Sequence, residues 1–148
     1  MHKFVVKQPI KTSDNKLIGY ELLFNVENEL YNQNSNDYNA ADTISTFLTL
    51  NNDKIDRSTR NFMTFTPNLL FKNMPKMFKV DELVIQIEDN VIVHPLAQKI
   101  VQRYKEAGYQ IAINDFQFAP RYFAFMDYTD FIKINVKDTP HSLSLIHI

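Results

Sequence analysis

Two hydrophobic patterns alternate along the chain from residue 61 onward. Short apolar runs, which are typical of buried strands, are separated by stretches whose apolar residues recur at helical spacing. Alternating strands and helices predict parallel strands that are joined by right-handed crossovers. The predicted strands in this part of the chain are 61–66, 83–88, 108–116 and 130–135.

The predicted helices between these strands begin and end at recognisable residues. Pro67 is expected to open a short helix, Pro95 starts an amphipathic helix, and Gly108 ends that helix as its C-terminal cap. A brief helix is predicted at 121–126. The apolar stripe predicted for the helix that starts at Pro95 consists of Leu96, Ala97, Ile100, Val101, Tyr104 and Ala107.

The first part of the chain follows a different pattern. Apolar runs at 4–10 and 17–24 are separated only by a polar turn at 12–15, so we predict an antiparallel hairpin. The Asn-rich segment 25–39 is expected to be a solvated loop, and a helix is predicted at 42–50. The later repeats fit a β/α barrel or an open α/β sheet. An antiparallel hairpin before parallel repeats is unusual, so it narrows the choice of fold.

Two adjacent polar residues, Asn114 and Asp115, close the strand predicted at 108–116. The carboxyl ends of parallel strands are where ligands bind and chemistry takes place, so this strand end is a candidate site. Asp and Asn are also common turn formers, and Asp115 has that simpler interpretation as well.

Composition limits the class of protein. The chain has 148 residues, 45% of them hydrophobic, which suits about one globular domain. A net charge of −1 without a basic cluster argues against binding to a nucleic-acid polymer. The absence of cysteine excludes disulfides and thiolate metal sites. Because there is neither a signal peptide nor an apolar run of membrane-spanning length, we expect a cytoplasmic protein with no membrane contact.

The last six residues, 143–148, break the upstream pattern shortly after Pro140. Their sequence, Leu-Ser-Leu-Ile-His-Ile, is also what one reading frame of a common transposon-based sequencing adapter encodes. We therefore expect a domain at 1–142 followed by a non-native tail at 143–148. The alternative interpretation of the tail is a short terminal strand.

Six fragments stand in the order and spacing of one known family, and together they resemble an EAL domain over about residues 4–138. In active members this domain hydrolyses cyclic di-GMP with a divalent metal ion. The resemblance implies an α/β fold, an incomplete TIM-type (β/α) barrel with an antiparallel first strand. The motif Gly-Tyr-Glu-Leu-Leu-Phe at 19–24 is closer to that of the bacterial signalling proteins in which an EAL half precedes an HDOD half. The fragments are 8–10, 19–24, 62–66, 83–90, 113–116 and 131–135.

The resemblance assigns part of the family's site to residues that this chain retains. Glu21 matches the glutamate of the second-strand motif, Asp115 the second aspartate of the fifth-strand pair, and Lys133 the sixth-strand lysine. Gln8 lies near the position that contacts the base, although it could be only a turn residue. Glu21 and Lys133 could also form an ion pair inside the barrel mouth. The expected vestigial nucleotide site consists of Gln8, Glu21, Leu23, Asn114, Asp115 and Lys133.

Other matched positions have lost charge or ligand atoms. Gln86 and Asn114 stand where the family has carboxylates, and Thr64 stands where it has an asparagine ligand. Asn25 replaces an arginine that contacts phosphate, and Asn135 replaces an aspartate. Because Mg²⁺ needs hard and preferably anionic oxygen ligands, we expect a degenerate domain with no bound metal, no other cofactor and no catalytic residue.

Three hypotheses about function follow from the resemblance. The first is a catalytically inactive EAL-type module that regulates through protein–protein interaction, with an HDOD half or another protein as partner. The second is a receptor that binds cyclic di-GMP without hydrolysing it. The third, an active cyclic di-GMP phosphodiesterase, is disfavoured by the substitutions. Fold alone does not decide among them.

Overall fold

A computed structural model describes the backbone of residues 3–26, 60–135 and 144–147, and the side chains of 7–22 and 60–134. The strands of these ranges form one sheet whose spatial order follows the chain. The first two strands pair antiparallel, the second to the sixth are parallel, and the seventh pairs antiparallel with the sixth. The strands are β1 (Lys3–Lys11), β2 (Leu17–Val26), β3 (Arg60–Thr64), β4 (Leu83–Ile87), β5 (Gln110–Ile113), β6 (Phe131–Asn135) and β7 (Ser144–His147).

Helices connect the parallel strands β3 to β6, as the alternating pattern predicts. None of the helices in the described ranges is long and apolar enough to cross a bilayer. Two short 3-10 turns, Met74–Met77 and Met126–Tyr128, complete the connections. The helices are α1 (Pro67–Phe71), α2 (Asp89–Ile92), α3 (Ala97–Glu106) and α4 (Pro120–Phe123).

The sheet carries a different apolar layer on each face, because alternate residues of a strand point to opposite sides. On one face the strands pack against the helices through buried residues such as Ile85, Ile111 and Tyr104. The other face holds a smaller apolar cluster to which no helix in the described part of the chain contributes. Burying one such side chain contributes roughly 2 kcal/mol. The members of this inner cluster are Ile10, Phe62, Val84, Ala112 and Phe131.

The sheet curls so far that Cα atoms of its two edge strands, β1 and β7, approach within 8 Å. A mixed, curled sheet with helices outside and an antiparallel first strand matches an incomplete TIM-type barrel. The fold class expected from the sequence is therefore confirmed.

Two glycines allow close approaches or turns that another residue would obstruct. A Cβ on Gly19 would collide with the backbone carbonyl oxygen of Arg60, so glycine lets β2 and β3 pair closely. Gly108 has a φ of 108° just after α3, and its N–H donates to the Lys105 carbonyl at 3.0 Å. The predicted glycine cap of this helix is thus confirmed.

The amphipathic helix differs from its prediction at both ends. It begins at Ala97 rather than Pro95, and Leu96 lies before the first turn with 54% of its surface exposed. Ala107 follows the last helical residue and is also exposed. Both were wrongly assigned to the buried stripe because helical periodicity does not apply outside the helix. The stripe is confirmed for Ala97, Ile100, Val101 and Tyr104.

Smaller boundary differences have local causes. β2 extends to Val26, two residues beyond its predicted end, and β5 already ends at Ile113. The helix predicted at 121–126 begins at Pro120, whose fixed φ suits the first helical position. Most of the predicted loop 25–39 and the whole helix predicted at 42–50 lie outside the described residues.

The tail contributes a strand to the sheet. Residues 144–147 pair antiparallel with β6, with Ile134 opposite Leu145. This agrees with the alternative interpretation of the tail as a short terminal strand. The assignment of 143–148 to adapter sequence concerns origin, and it stays a prediction.

Candidate functional site

The carboxyl ends of β2 to β6 meet at one rim of the curled sheet, which we call the barrel mouth. Thr64, Gln86 and Lys133 each follow a residue of the inner apolar cluster by two positions, so they share its face. Glu21 lies opposite Phe62 in the β2–β3 register. Thr64, Gln86 and Lys133 thus lie on the mouth side of the inner apolar residues of their own strands.

These four side chains form one hydrogen-bonded group, which we call the mouth network. The Lys133 ammonium forms an ion pair with the Glu21 carboxylate and donates to Gln86 Oε1 at 3.1 Å. Gln86 Nε2 donates to Thr64 Oγ1 at 2.8 Å and to Glu21 Oε2 at 3.4 Å. Gln86 is fully buried and Lys133 is 3% exposed. The ion pair is the one that the sequence suggests as an alternative to ligand binding.

The mouth network satisfies its own charges. One carboxylate faces one ammonium, and both functional groups of the Gln86 amide have partners within the network. Removing one member of a buried ion pair costs about 3–5 kcal/mol because the other charge is left uncompensated. The network therefore holds β2, β3, β4 and β6 together at the mouth.

The mouth network does not fit a divalent cation. Its single carboxylate, Glu21, is already neutralised by Lys133, whose ammonium would repel a metal ion. The amide oxygen of Gln86 accepts a hydrogen bond from Lys133 instead of facing an open coordination position. Mg²⁺ requires anionic or neutral oxygens arranged octahedrally, and this donor set offers too few. Across residues 7–22 and 60–134, no three or more His, Cys, Asp or Glu side chains are grouped to hold a metal.

Asn114 and Asp115 lie in a second region. Gln86 pairs with Ala112 in the β4–β5 register, so Asn114 lies one inward layer beyond Gln86. Its Nδ2 donates to Glu88 Oε2 at 2.7 Å. Asp115 is exposed and has a left-handed φ of 54°, which agrees with its interpretation as a turn residue. The hydrogen bonds thus divide the predicted site into two groups.

The second region surrounds a pocket of about 310 Å³, which we call the β4–β5 pocket. Asp89 accepts hydrogen bonds from the Tyr122 hydroxyl at 2.9 Å and from Arg121 Nε at 3.0 Å. The Tyr122 and Arg121 hydrogen bonds lower the pKa of the Asp89 carboxyl. Burial, together with the bond to Asp89, raises the pKa of Tyr122 to about 12. The pocket is lined by Glu88, Asp89, Asn90, Asn114, Asp115, Gln117 and Tyr122.

The remaining predicted residues are placed less completely. Gln8 pairs with Glu21 across the hairpin, and its side chain is exposed. The backbone of Leu23 lies in β2, but its side chain is outside the described ones. The same holds for Asn25 and Asn135, the two other positions matched to phosphate and metal contacts.

The sequence contained a signal for the second region that the prediction did not use. Glu88 and Asp89 directly follow β4, just as Asn114 and Asp115 follow β5. Two polar pairs at neighbouring strand ends should meet at one edge of a parallel sheet. The contribution of Arg121 and Tyr122 could not be found this way, because it depends on how α4 packs.

Comparison with known proteins identifies the fold. No protein-family profile matches the chain. It is 31% identical over 146 residues to the uncharacterized protein YuxH of Bacillus subtilis, covering 94% of this chain and 36% of YuxH. It is 28% identical over 139 residues to the cyclic di-GMP phosphodiesterase CdgJ of Vibrio cholerae, covering 90% of this chain and 32% of CdgJ. The chain thus spans about a third of the length of these relatives.

A solved structure agrees with the curled sheet described above. The Bacillus subtilis YkuI protein, which has an EAL domain, superposes with a TM-score of 0.62 at 15% identity. The superposition covers 91% of this chain and 42% of YkuI. At this level of identity the likeness concerns the fold. The chain has the fold of an EAL domain.

Proposed function

We propose that this chain belongs to the EAL family, close to the EAL–HDOD proteins, and is a regulatory module that does not hydrolyse cyclic di-GMP. It would act in the cytoplasm through contact with another protein or with an HDOD half. The observation that carries this proposal is the mouth network. The resemblance assigns Lys133 and position 86 to the group that holds metal and substrate. In this chain Lys133 is instead bonded to Glu21 and to Gln86.

The chemistry of phosphodiester cleavage supports the loss of activity. In metal-dependent hydrolysis the ion activates water and offsets the charge that builds up on the phosphate. In this mouth the matched carboxylate positions 86 and 114 carry amides, and the retained Glu21 is neutralised by Lys133. Binding a cation there would require breaking a buried ion pair without gaining enough anionic ligands.

Binding of cyclic di-GMP without hydrolysis is the second candidate. YkuI has been solved in complex with substrate c-di-GMP and calcium, and this chain shares its fold. Exposed Gln8 lies beside Glu21 at the mouth and could contact a base. Against this candidate, Glu88, Asp89 and Asp115 add negative charge next to the mouth, which disfavours two phosphates when no cation is bound.

The third candidate, an active phosphodiesterase, is supported by the name of CdgJ. At 28% identity over a third of that protein, individual site residues can differ between the two proteins. Two of the matched carboxylates are amides here. We therefore rank regulation through protein contact first, binding second and hydrolysis third.

One titration separates the three candidates. Fluorescently labelled cyclic di-GMP is added to the full chain with Mg²⁺ and with EDTA, and anisotropy and product formation are followed together. The first candidate predicts no saturable binding under either condition. Binding that is equal with Mg²⁺ and with EDTA, and that is lost in Gln8→Ala, would support the second candidate. Mg²⁺-dependent binding with product formation would support the third and overturn the proposal.

A further inference from the structure

Phe118 is exposed to an extent that is unusual for a large apolar side chain. It follows Gln117 in the connection between β5 and α4, and 85% of its surface is accessible, the highest value among large apolar residues in the described ranges. Single exposed apolar residues are common, so this exposure alone indicates no function. Its surroundings distinguish it.

Phe118 is held in place by a row of aromatic rings. Its ring packs edge-to-face against Phe116, with centroids 5.3 Å apart and planes at 85°. Phe116 packs in the same way against Tyr122, at 5.5 Å and 81°, and Tyr122 is fully buried. Edge-to-face geometry is the favourable arrangement for aromatic pairs. We call Phe118, Phe116 and Tyr122 the aromatic row. Phe118, at its outer end, is exposed and also packs against Phe116.

The aromatic row leads to the β4–β5 pocket. Tyr122 lines this pocket and donates its hydroxyl hydrogen bond to Asp89. Gln117, the neighbour of Phe118, lines it as well. The exposed aromatic ring of Phe118 therefore lies next to residues that line the pocket.

The charge of that surface is negative. The pocket is lined by three carboxylates, those of Glu88, Asp89 and Asp115. Arg121 compensates one of them through its hydrogen bond to Asp89, whereas the partner of Glu88 is the neutral amide of Asn114. Among the residues that the structure describes, no basic side chain pairs with Glu88 or Asp115. A cationic side chain that entered the pocket would therefore meet negative charge close to an exposed aromatic ring.

We propose that the aromatic row and the β4–β5 pocket form a docking surface for a segment of a partner protein that presents a lysine or arginine close to a large apolar side chain. The cation enters the pocket, and the apolar side chain covers Phe118. Interface hot spots combine aromatic anchors with charges that become desolvated on binding, as this surface would. The inference rests on the proposed function, because it names where and by what chemistry the regulatory contact is made.

The test begins with a selection that does not presuppose a particular ligand. Random linear peptides displayed on phage are selected against the immobilised full chain, and the most enriched peptide is synthesised with a fluorescent label. The proposal predicts that enriched peptides carry a basic residue near an aromatic or aliphatic one. Enrichment of no peptide, or of peptides without a basic residue, overturns it.

Two exposed phenylalanines then serve as variant and matched control. Phe118→Ser should weaken binding of the labelled peptide about tenfold or more, as the loss of a hot-spot residue does. Phe123→Ser, which changes a 53% exposed phenylalanine of α4 outside the pocket lining, should weaken it less than about threefold. Asp115→Asn and added salt should each weaken it as well, because both reduce the electrostatic attraction. Equal effects of the two phenylalanine variants contradict the proposal.

Self-association and hydrolysis are measured on the same samples so that the failures can be separated. If light scattering shows a dimer that Phe118→Ser dissociates in the absence of peptide, the occupant is a second copy and the partner proposal is overturned. If the chain binds the peptides as predicted but hydrolyses cyclic di-GMP, the docking surface stands and the proposed function fails. If neither peptide binding nor hydrolysis is seen, only the docking surface fails.

Discussion

The mouth network and the β4–β5 pocket lie on the same rim, yet they treat charge in opposite ways. In the mouth network one carboxylate and one ammonium neutralise each other, and Gln86 and Lys133 are almost completely buried. Of the three carboxylates that line the pocket, Arg121 pairs with that of Asp89, and the Asp89 and Arg121 side chains are 49% and 42% exposed. The mouth network is therefore a closed region, whose side chains bind one another. The pocket is an open region, whose side chains are accessible to a ligand.

The two regions differ in how available their side chains are for binding. The Gln86 amide lets the mouth satisfy its hydrogen bonds internally, so Glu21 and Lys133 stabilise the fold. The acids of the pocket are less compensated and more exposed, which makes them available for binding. Glu21 and Lys133, which the resemblance assigns to the family's site, thus bind each other in this chain.

The largest effect on stability is expected when the mouth network is left with one uncompensated charge. Lys133→Met should lower the free energy of unfolding by about 3–5 kcal/mol, because Glu21 would remain at the mouth without its cation. Urea denaturation followed by circular dichroism measures the change. The double variant Glu21→Gln with Lys133→Met should recover much of the loss. A loss below about 1 kcal/mol for Lys133→Met would show that the ion pair is not structurally important.

Introducing the metal ligands that the resemblance assigns to positions 64, 86 and 114 should allow the mouth to bind a cation. The triple variant Thr64→Asn, Gln86→Glu and Asn114→Asp should be stabilised by Mn²⁺, by about 2.7 kcal/mol at roughly 100 times its dissociation constant, whereas the unmodified chain should not respond. Thermal unfolding with and without Mn²⁺ measures this. Turnover is not expected, since Asn25 and Asn135 are unrepaired. Equal Mn²⁺ stabilisation of both proteins would contradict our account of the mouth.

Titration of Tyr122 tests the negative charge of the pocket. Burial and the Asp89 carboxylate raise its pKa from the ordinary value of 10.0 to about 12. Because the folded-state pKa is raised, the protonated hydroxyl stabilises the fold below pH 10, and this contribution is lost as the pH rises towards 12, at about 1.4 kcal/mol for each pH unit. Asp89→Asn should lower the pKa of Tyr122, which phenolate absorbance would detect. An unchanged titration curve would mean that the carboxylate does not act on this hydroxyl.

The smallest effect is expected at the exposed ion pair of the pocket. Arg121→Met should change the free energy of unfolding by less than about 1 kcal/mol, since solvent screens exposed pairs. The matched comparison is Lys133→Met in the same urea experiment. Similar losses for the two variants would remove the distinction between a closed and an open region.

The repeating architecture could be predicted from the sequence because it depends on local pattern. Apolar runs located the strands, and Gly108 marked the end of α3 through its positive φ. The pattern failed where the chain leaves regular structure. Leu96 was assigned to a helical face, although it lies before the first helical residue.

The grouping of the site could not be predicted, because it depends on register and on side-chain partners. Strand alternation brings Asn114 to the same face as Gln86 and Lys133, and the registers place Asn114 and Lys133 alike one layer beyond Gln86. Only the hydrogen-bond partner of Asn114 separates it from the mouth network. The left-handed φ of Asp115 interrupts the alternation at the strand end, so strand periodicity does not apply to its side chain. The family resemblance proposed positions for a site but could not tell which of them would pair with each other.

The most direct test of the central claim is a product assay on the unmodified chain. Cyclic di-GMP is incubated with the purified protein and Mg²⁺ or Mn²⁺, and the linear dinucleotide pGpG is quantified by chromatography beside a no-enzyme sample. Because Lys133 and Gln86 are engaged in hydrogen bonds within the mouth network and leave too few oxygen ligands for a metal ion, we predict no pGpG above that background with either metal. Metal-dependent formation of pGpG that increases with protein concentration and disappears with EDTA would contradict the account.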